Sequence, residues 1–564
     1  MPLLIAIGVV VGIFLGSFFT SLYSGRSISI RSSGNKVNDL FHLISDEYVD
    51  TVNVPDLVEK SIPQILKQLD PHSVYISAAE VDASMQDLRG GFSGIGVQFT
   101  ILSDTVRVVR VIKGGPSERA GLHAGDRIVA IDDADYVGPV VTNDETMKRL
   151  KGPEGSKVKL RILRDGAARP LTFTITRGNV PVRSITAAYM LNDSIGYIKI
   201  HSFGETTYAE FLAAMAALSR YEMSGLMLDL RGNLGGYMEP AVQIANEFLS
   251  KNSLIVYTMG RRSPRQEYCS DGRGAYQTVP LVLLIDETTA SASEILAGAI
   301  QDNDRGTIVG RRSFGKGLVQ VPIEFSDGSM LRLTTARYYT PSGRCVQKPY
   351  VPGDDEEYES DLLLRAAHGE YDTADSIKTS GEAYTTTLGR TVYGGGGIIP
   401  DIFVAQDTTG YTSYFKEAYI KGLIFQFAYI LCDNHRAQLE RLADDPQRVA
   451  AYLDRIGMLQ QFQTYAQQNG LKPRPLLLQR SSKLFKDIIV SNVLNDLVGD
   501  EASVEYVNRS DATVKAGLEV FATGSAFPQR PADTAAPQVA AAFFNRSLVT
   551  GHRPQLGFAW RGRQ

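Results

Sequence analysis

The chain has 564 residues, 43% hydrophobic and 21% charged, with a formal net charge of -4. At roughly 150 residues per domain this suggests about three to four folded domains, and it excludes both a lone binding module and a largely disordered or polytopic membrane protein. No global basic field exists to hold duplex nucleic acid, so no nucleic-acid partner is expected.

Residues 3–23, LLIAIGVVVGIFLGSFFTSLY, are uncharged and almost wholly apolar, about the ~20 residues that cross a bilayer as a helix. The run exceeds the roughly 7–15 apolar residues of a cleavable signal and lacks a clear A-x-A site. Residues 1–25 are therefore expected to be an uncleaved membrane anchor. Arg26, Arg31 and Lys36 follow the span, and the positive-inside rule alone would leave the bulk of the chain in the cytoplasm. That vote conflicts with the outer location expected below.

Residues 36–88 carry helical apolar spacing (Val37, Leu40, Leu43, Ile44; Leu57, Ile62, Ile65, Leu66), broken at LDPHS (69–73), and predict a small helical region. From residue 89 to 178 the period becomes two, in VRVVRVI (106–112), DRIVAI (126–131), KVKLRIL (157–163) and LTFTIT (171–176), which predicts a β-rich domain. Over 185–405 near-continuous apolar strands, SIGYIKI, GLMLDL and VPLVLLID, alternate with helical segments, as in an α/β core. An acidic, Tyr-rich insertion occupies 346–393, a helical region 406–522, and an Ala/Pro/Gln-rich tail 523–564 is expected to be poorly ordered. The fold class is thus a multidomain α/β (α+β) protein.

Three cysteines without CxxC spacing and seven scattered histidines without HExxH give no metal site; no metal or cofactor is expected. Whether Cys269 and Cys345 pair is left open.

The sharpest local signal is TTASASEILAGAIQDNDRGTIVGRRSFGKGLVQ (288–320), directly after the strand VPLVLLID. A serine at a strand-to-helix turn, Ser291, meets unpaired backbone N–H groups and a favourable helix dipole. Ser291 and Glu294 also form an S-x-x-E capping box, a helix start that needs no catalysis; from the residues alone both roles stay open. No GxSxG elbow surrounds Ser291. A lysine can activate a serine if burial lowers its pKa, and Lys316 in FGKG leads into the apolar strand LVQVPIEF, expected to carry it into a packed core. The loop DLRGNLGG (229–236) can bring a bare backbone N–H close to a carbonyl; it lacks the Walker pattern.

Together ASASE, FGKGxVQ, LRGNLGG, LDPHS and GGGIxPD resemble the carboxy-terminal processing proteases, the tail-specific S41 serine peptidases, over roughly residues 36–405. The resemblance implies Ser291 as nucleophile, Lys316 as general base and Gln320 as its orienting partner, with backbone N–H groups of Ala292 and Gly235 or Gly236 holding the oxyanion. It also implies that 89–178 is a PDZ domain. There GFSGIGV resembles the carboxylate-binding loop, with Gly94, Ile95, Gly96 and Val97 facing a substrate's C-terminal tail, and GPSERAGLHAGDRIVAID (115–132) resembles the PDZ helix and strand. The expected partners are proteins with exposed C-terminal tails, and the expected place is the cell envelope, membrane-anchored with the peptidase extracytoplasmic (periplasmic). Self-association is left open, as is PDZ gating of the site. The sequence also admits two other readings: a catalytically silent PDZ scaffold, and a Ser/His hydrolase using His201 or His72. The family pattern assigns no activity to the insertion or to residues 406–564.

Overall fold

A computed structural model of the chain describes residues 35–530 apart from 86–87, 103, 113, 165–166 and 380. The apolar run at 3–23 and most of the expected tail (531–564) lie outside the described residues. Among the described residues no helix is long and apolar enough to cross a membrane.

The chain divides at residue 69 into two units. The first contains the helices Lys36–Glu47 and Val54–Leu66, started by Asn35 and Asn53, whose side chains accept from Asn38 N (3.2 Å) and Asp56 N (3.4 Å). The break expected at LDPHS is present, and after it the triplet Val74–Ile76 is a strand within the expected helical region, paired antiparallel with Met330–Tyr339. Val, Tyr and Ile all suit a half-buried pleated surface. The helix Ala78–Met85 follows.

The β-rich domain is a sheet of Val97–Leu102, Thr105–Val111, Arg127–Ile131, Lys157–Leu163 and Leu171–Thr176 in that spatial order, with Ala134–Asp135 added at Arg127–Ile131. Strict alternation in Lys157–Leu163 buries Val158, Leu160 and Ile162 and turns Lys157, Lys159 and Arg161 outward.

In the α/β core the strands run in the order Ile185–Met190, Ile195–Ile200, Gly225–Asp229, Leu281–Ile285, Thr307–Gly310, Ile402–Phe403. The first pair is antiparallel and the rest are parallel. Every residue of Gly225–Asp229 and Leu281–Ile285 is buried, as strands covered on both faces require. One face packs against the helices Thr207–Leu218, Met238–Phe248 and Ala292–Asp302.

The opposite face is closed by the C-terminal helix Ala512–Ala522: Met227, Val282, Leu284 and Val309 pack with Val514 and Val520. The boundary expected at 406–522 therefore cuts across a layer of the catalytic core. Only the helices from Ser413–Ile420 to Asp500–Asn508 form a bundle with its own centre of Phe427, Leu431, Phe462, Phe485 and Ile489. The first part of the expected tail is also fixed, since Ala526 is buried and Ser525 O accepts from Thr307 Oγ1 (2.8 Å). A Cβ on Gly517 would lie 2.6 Å from Met227 Cε and 3.4 Å from Leu284 Cδ2 and Val282 Cγ1. We expect Gly517→Leu to destabilise the catalytic core by about 1–3 kcal/mol through overpacking, read as a lowered thermal midpoint together with reduced peptidase activity.

A second sheet, Val74–Ile76, Met330–Tyr339, Leu254–Met259 and Gln266–Cys269, with Leu318–Glu324 also paired to Met330–Tyr339, flanks the site. The three cysteines are free thiols, so Cys269 and Cys345 do not pair.

Candidate active site

Strand Leu281–Ile285 ends in an Asx turn in which Asp286 Oδ1 accepts from Thr288 N (3.0 Å), Thr288 Oγ1 (2.7 Å) and Thr289 N (3.1 Å). Thr289 Oγ1 then donates to Leu230 O (3.0 Å), tying this turn to the neighbouring strand end. Ser291 follows at φ 57° and ψ -118°. Six described non-glycine residues have positive φ; the other five are Asp or Asn, which tolerate it, and Ser291 is the exception. Such a backbone costs about 1–3 kcal/mol and persists where the surroundings over-determine it.

The surroundings do so through Glu294. Its Oε2 accepts from Ser291 N (2.9 Å), the carboxylate half of the capping box, and also from Lys316 N (2.8 Å). Its Oε1 accepts from Ser313 Oγ (2.5 Å) and Gly315 N (2.8 Å). One carboxylate oxygen thus joins the backbones of the two residues expected to be nucleophile and base. Tyr338 makes a second link, its hydroxyl donating to Ser291 O (3.0 Å) and to Lys316 O. Glu294 is wholly buried, and that burial pushes its carboxyl up to about 7 against the opposing pull of its four hydrogen bonds.

Lys316 Nζ donates to Gln320 Oε1 (3.4 Å), and Gln320 Nε2 donates to His72 O in the LDPHS turn. Burial lowers the lysine's pKa and the Arg332 charge lowers it further, with Glu294 and Asp70 pulling the other way. The strand after Lys316 is buried only at its start, where Leu318 is covered and Val319 packs on the main core, while Val321 and Ile323 are exposed. The 346–393 insertion covers the preceding loop as well. Arg365 of its helix Glu356–Ala367 donates to Arg312 O (2.7 Å) and Ser313 O (3.0 Å), and Lys348 Nζ sits 4.0 Å from the ring centres of both Phe314 and Tyr358. An insertion with no legible motif is part of the wall around the lysine.

The LRGNLGG loop faces the serine. A Cβ on Gly235 (φ +97°) would lie 2.7 Å from Ser291 Cβ and 2.9 Å from Ala292 N, so only glycine permits this approach. Gly235 gives its own N–H to Asn233 Oδ1 (2.8 Å), so that donor is already taken. The N–H groups of Gly236 and Ala292 have no protein acceptor among the described residues. Asn233, unnoticed in the sequence, clamps the loop: its O accepts from Ala290 N (3.0 Å) and Ser293 Oγ (3.2 Å), and its Nδ2 donates to Ile200 O (2.9 Å). Arg231 anchors the loop's start to buried Asp229 and, through Nη1, to Asp511 at the cap of the last helix (2.9 Å). Burial would raise the Asp229 pKa, but Arg231 and Lys199 together hold it well below the usual carboxylate range.

The histidines divide. His201 is exposed, with its N–H on Ser184 O. His72 Nε2 is paired with Tyr358 OH (2.7 Å), and burial, then Lys316, push its pKa down to about 4. His72 serves the site through its carbonyl.

In the β-rich domain, Gly94 ends the strand Gly91–Gly94. Ile95 is buried and its O accepts from Ser117 N (2.8 Å), while Gly96 (φ +76°) accepts at O from Ile112 N (3.0 Å). Val97 opens a strand paired on one side only, to Thr105–Val111, which leaves an edge able to accept an added strand.

Comparison with known proteins agrees with this layout. Residues 194–356 match peptidase family S41, 93–175 match the PDZ domain, and 414–499 match a family of unknown function. The chain is similar to a carboxy-terminal-processing protease of Bartonella bacilliformis, 34% identical over 349 residues, 60% of this chain and 79% of that protein. It is also similar to a carboxyl-terminal-processing protease of Synechocystis, 36% identical over 336 residues, 57% of this chain and 77% of that protein. Among solved structures, the photosystem II D1 C-terminal processing protease aligns over 57% of this chain and 92% of its own, at 29% identity and a TM-score of 0.32.

Proposed function

The chain belongs to the carboxy-terminal-processing proteases, serine peptidases with a PDZ domain, and from that premise we propose that it cleaves through a dyad of Ser291 and Lys316. The observation that carries this reading is the single Glu294 oxygen holding both backbone N–H groups, at 2.9 and 2.8 Å. Lys316, as a free amine, takes the proton from Ser291 Oγ as that oxygen attacks the peptide carbonyl. The N–H groups of Ala292 and Gly236 receive the oxyanion. Lys316 then hands its proton to the leaving amine, and water releases the acyl group by the same route reversed. Gln320 keeps the lysine aimed. The Gly94–Val97 turn and the edge strand after it hold the substrate's C-terminal tail, and residues 3–23 anchor the protein with the peptidase on the outer side of the membrane. The silent-scaffold reading draws no support from a site in which serine, lysine and oxyanion donors are all present.

The test is a pH-rate profile for cleavage of an unfolded protein with an apolar C-terminus. A depressed lysine pKa means that the ammonium is disfavoured in the folded protein. The rate should therefore rise with pH as Lys316 deprotonates, with a midpoint below that of an ordinary lysine. Lys316→Arg, whose guanidinium cannot lose its proton, should be inactive across the profile. A flat profile, or an active arginine variant, overturns the dyad.

A further inference from the structure

On the strand Met330–Tyr339, residues 330, 332 and 334 share one face. Met330 packs with Ile76, Met85 and Tyr237, and Thr334 Oγ1 donates to Asp70 Oδ1 (3.0 Å). Arg332 lies between them, its backbone flanked by Val74 and Pro322. Its side chain is half-buried, and its Nε is shut off from solvent with no hydrogen-bond partner. Among the described residues no carboxylate pairs with it. Asp70 and Glu294 are committed elsewhere: Asp70 Oδ1 takes His72 N, Ser73 N and Thr334 Oγ1, its Oδ2 takes Ser73 Oγ, and Glu294 takes four donors.

The Arg332 charge is felt by Lys316 on one side and, on the other, by Tyr237, the residue after Gly236. On its strand it lies between Met330, which packs with Tyr237 beside the glycine loop, and Thr334, whose register partner Gln320 holds Lys316. A half-buried guanidinium without a counter-charge is costly, and this cost is relieved if substrate brings the anion. We propose that Arg332 is an anion subsite of the catalytic cleft that receives a carboxylate of the bound peptide beside the scissile bond. The carboxylate is either an acidic side chain or the free terminus of a short segment after the cleaved bond. A guanidinium matches either in bidentate geometry.

This inference rests on the Ser/Lys reading, and the experiment separates the two. One apolar peptide is made with Glu or Gln next to the cleaved bond, each with a free or an amidated C-terminus, and given to the full chain, to Arg332→Gln and to Arg332→Lys. Wild type should prefer a carboxylate in at least one arm by about tenfold or more in kcat/KM, chiefly through KM. The Glu/Gln arm reports a side chain, and the free/amidated arm a terminus. Arg332→Gln should bring that ratio close to one, and Arg332→Lys should keep most of it. A wild-type ratio within twofold in both arms overturns the proposal, as does a ratio that survives in Arg332→Gln, which would assign the preference to the PDZ loop. Equilibrium binding of the same peptides to Ser291→Ala, with and without Arg332→Gln, reads the subsite without turnover. Cleavage by Ser291→Ala alone would refute the dyad and leave the binding comparison intact.

Discussion

Ser291→Ala, Lys316→Ala and the double variant are expected to fall to one common floor of tail cleavage, on the order of 10^4–10^6 below wild type, because residues acting as one unit are not additive. No neighbour can replace either member. Ser293 is wholly buried and commits its hydroxyl to Asn233 O (3.2 Å). Lys348 is held by Asp361 Oδ2 and Tyr358 O, both at 3.0 Å, between two aromatic rings. Single-turnover peptide hydrolysis, with circular dichroism to verify the fold, measures the floor. If Lys316→Ala stayed within tenfold of wild type, the proton would have to leave by another route, and His72→Gln would be the next variant to examine.

The second large effect is expected from Glu294→Gln, which changes one atom in a site where every acceptor position is taken. Each carboxylate oxygen already receives two donors, so either orientation of an amide points an NH2 group at N–H or O–H donors. Even if Ser313 turns its hydroxyl and accepts from the amide, Gly315 N in one orientation, or Ser291 N and Lys316 N in the other, still faces an NH2 group. At least one buried donor pair is orphaned, at about 1–3 kcal/mol per group. The backbones of Ser291 and Lys316 lose their common anchor, and a shift of about 1 Å between reacting groups costs on the order of 10²-fold in rate. We expect a lowered unfolding midpoint and a kcat reduced by that factor or more, with binding of the tail to the PDZ domain unchanged. The pH dependence supplies a second readout. With a folded pKa of about 7 against 4.5 ordinarily, the folded state holds this proton more tightly. The group's contribution is complete below about pH 4.5 and is lost as pH rises through about 7. Glu294→Gln should abolish that slope; an unchanged slope would mean that Glu294 is not the group responsible.

The elements of the α/β core and of the PDZ domain were legible because a strand buried on both faces has to be apolar throughout, as in 225–229 and 281–285, and a one-sided strand has to alternate, as in 157–163. Ser291 and Lys316 were candidates for a different reason, in that their chemistry depends on residue type and on short-range company, whereas Gln320 entered only through the family resemblance. Glu294 was visible only as a helix cap. Its larger role depends on a carboxylate reaching Lys316, 22 residues onward, across a loop whose path no local pattern encodes. Asn233 and Arg332 carried no signal of their own.

What the sequence by itself determined was local: periodicity, the strand-to-helix turn, the glycines of LRGNLGG and the family motifs, all set by interactions between near neighbours. The tertiary structure alone decided which glycine N–H stays free, since Asn233 takes that of Gly235. It alone placed the 346–393 insertion against the Lys316 loop and the last helix under the catalytic sheet. It also left the buried Nε of Arg332 without a hydrogen-bond partner among the described residues, with its charge felt by Lys316. Hydrogen-bond partners, burial and electric fields are sums over residues brought together from distant parts of the chain, and they take their values only once the whole fold has closed.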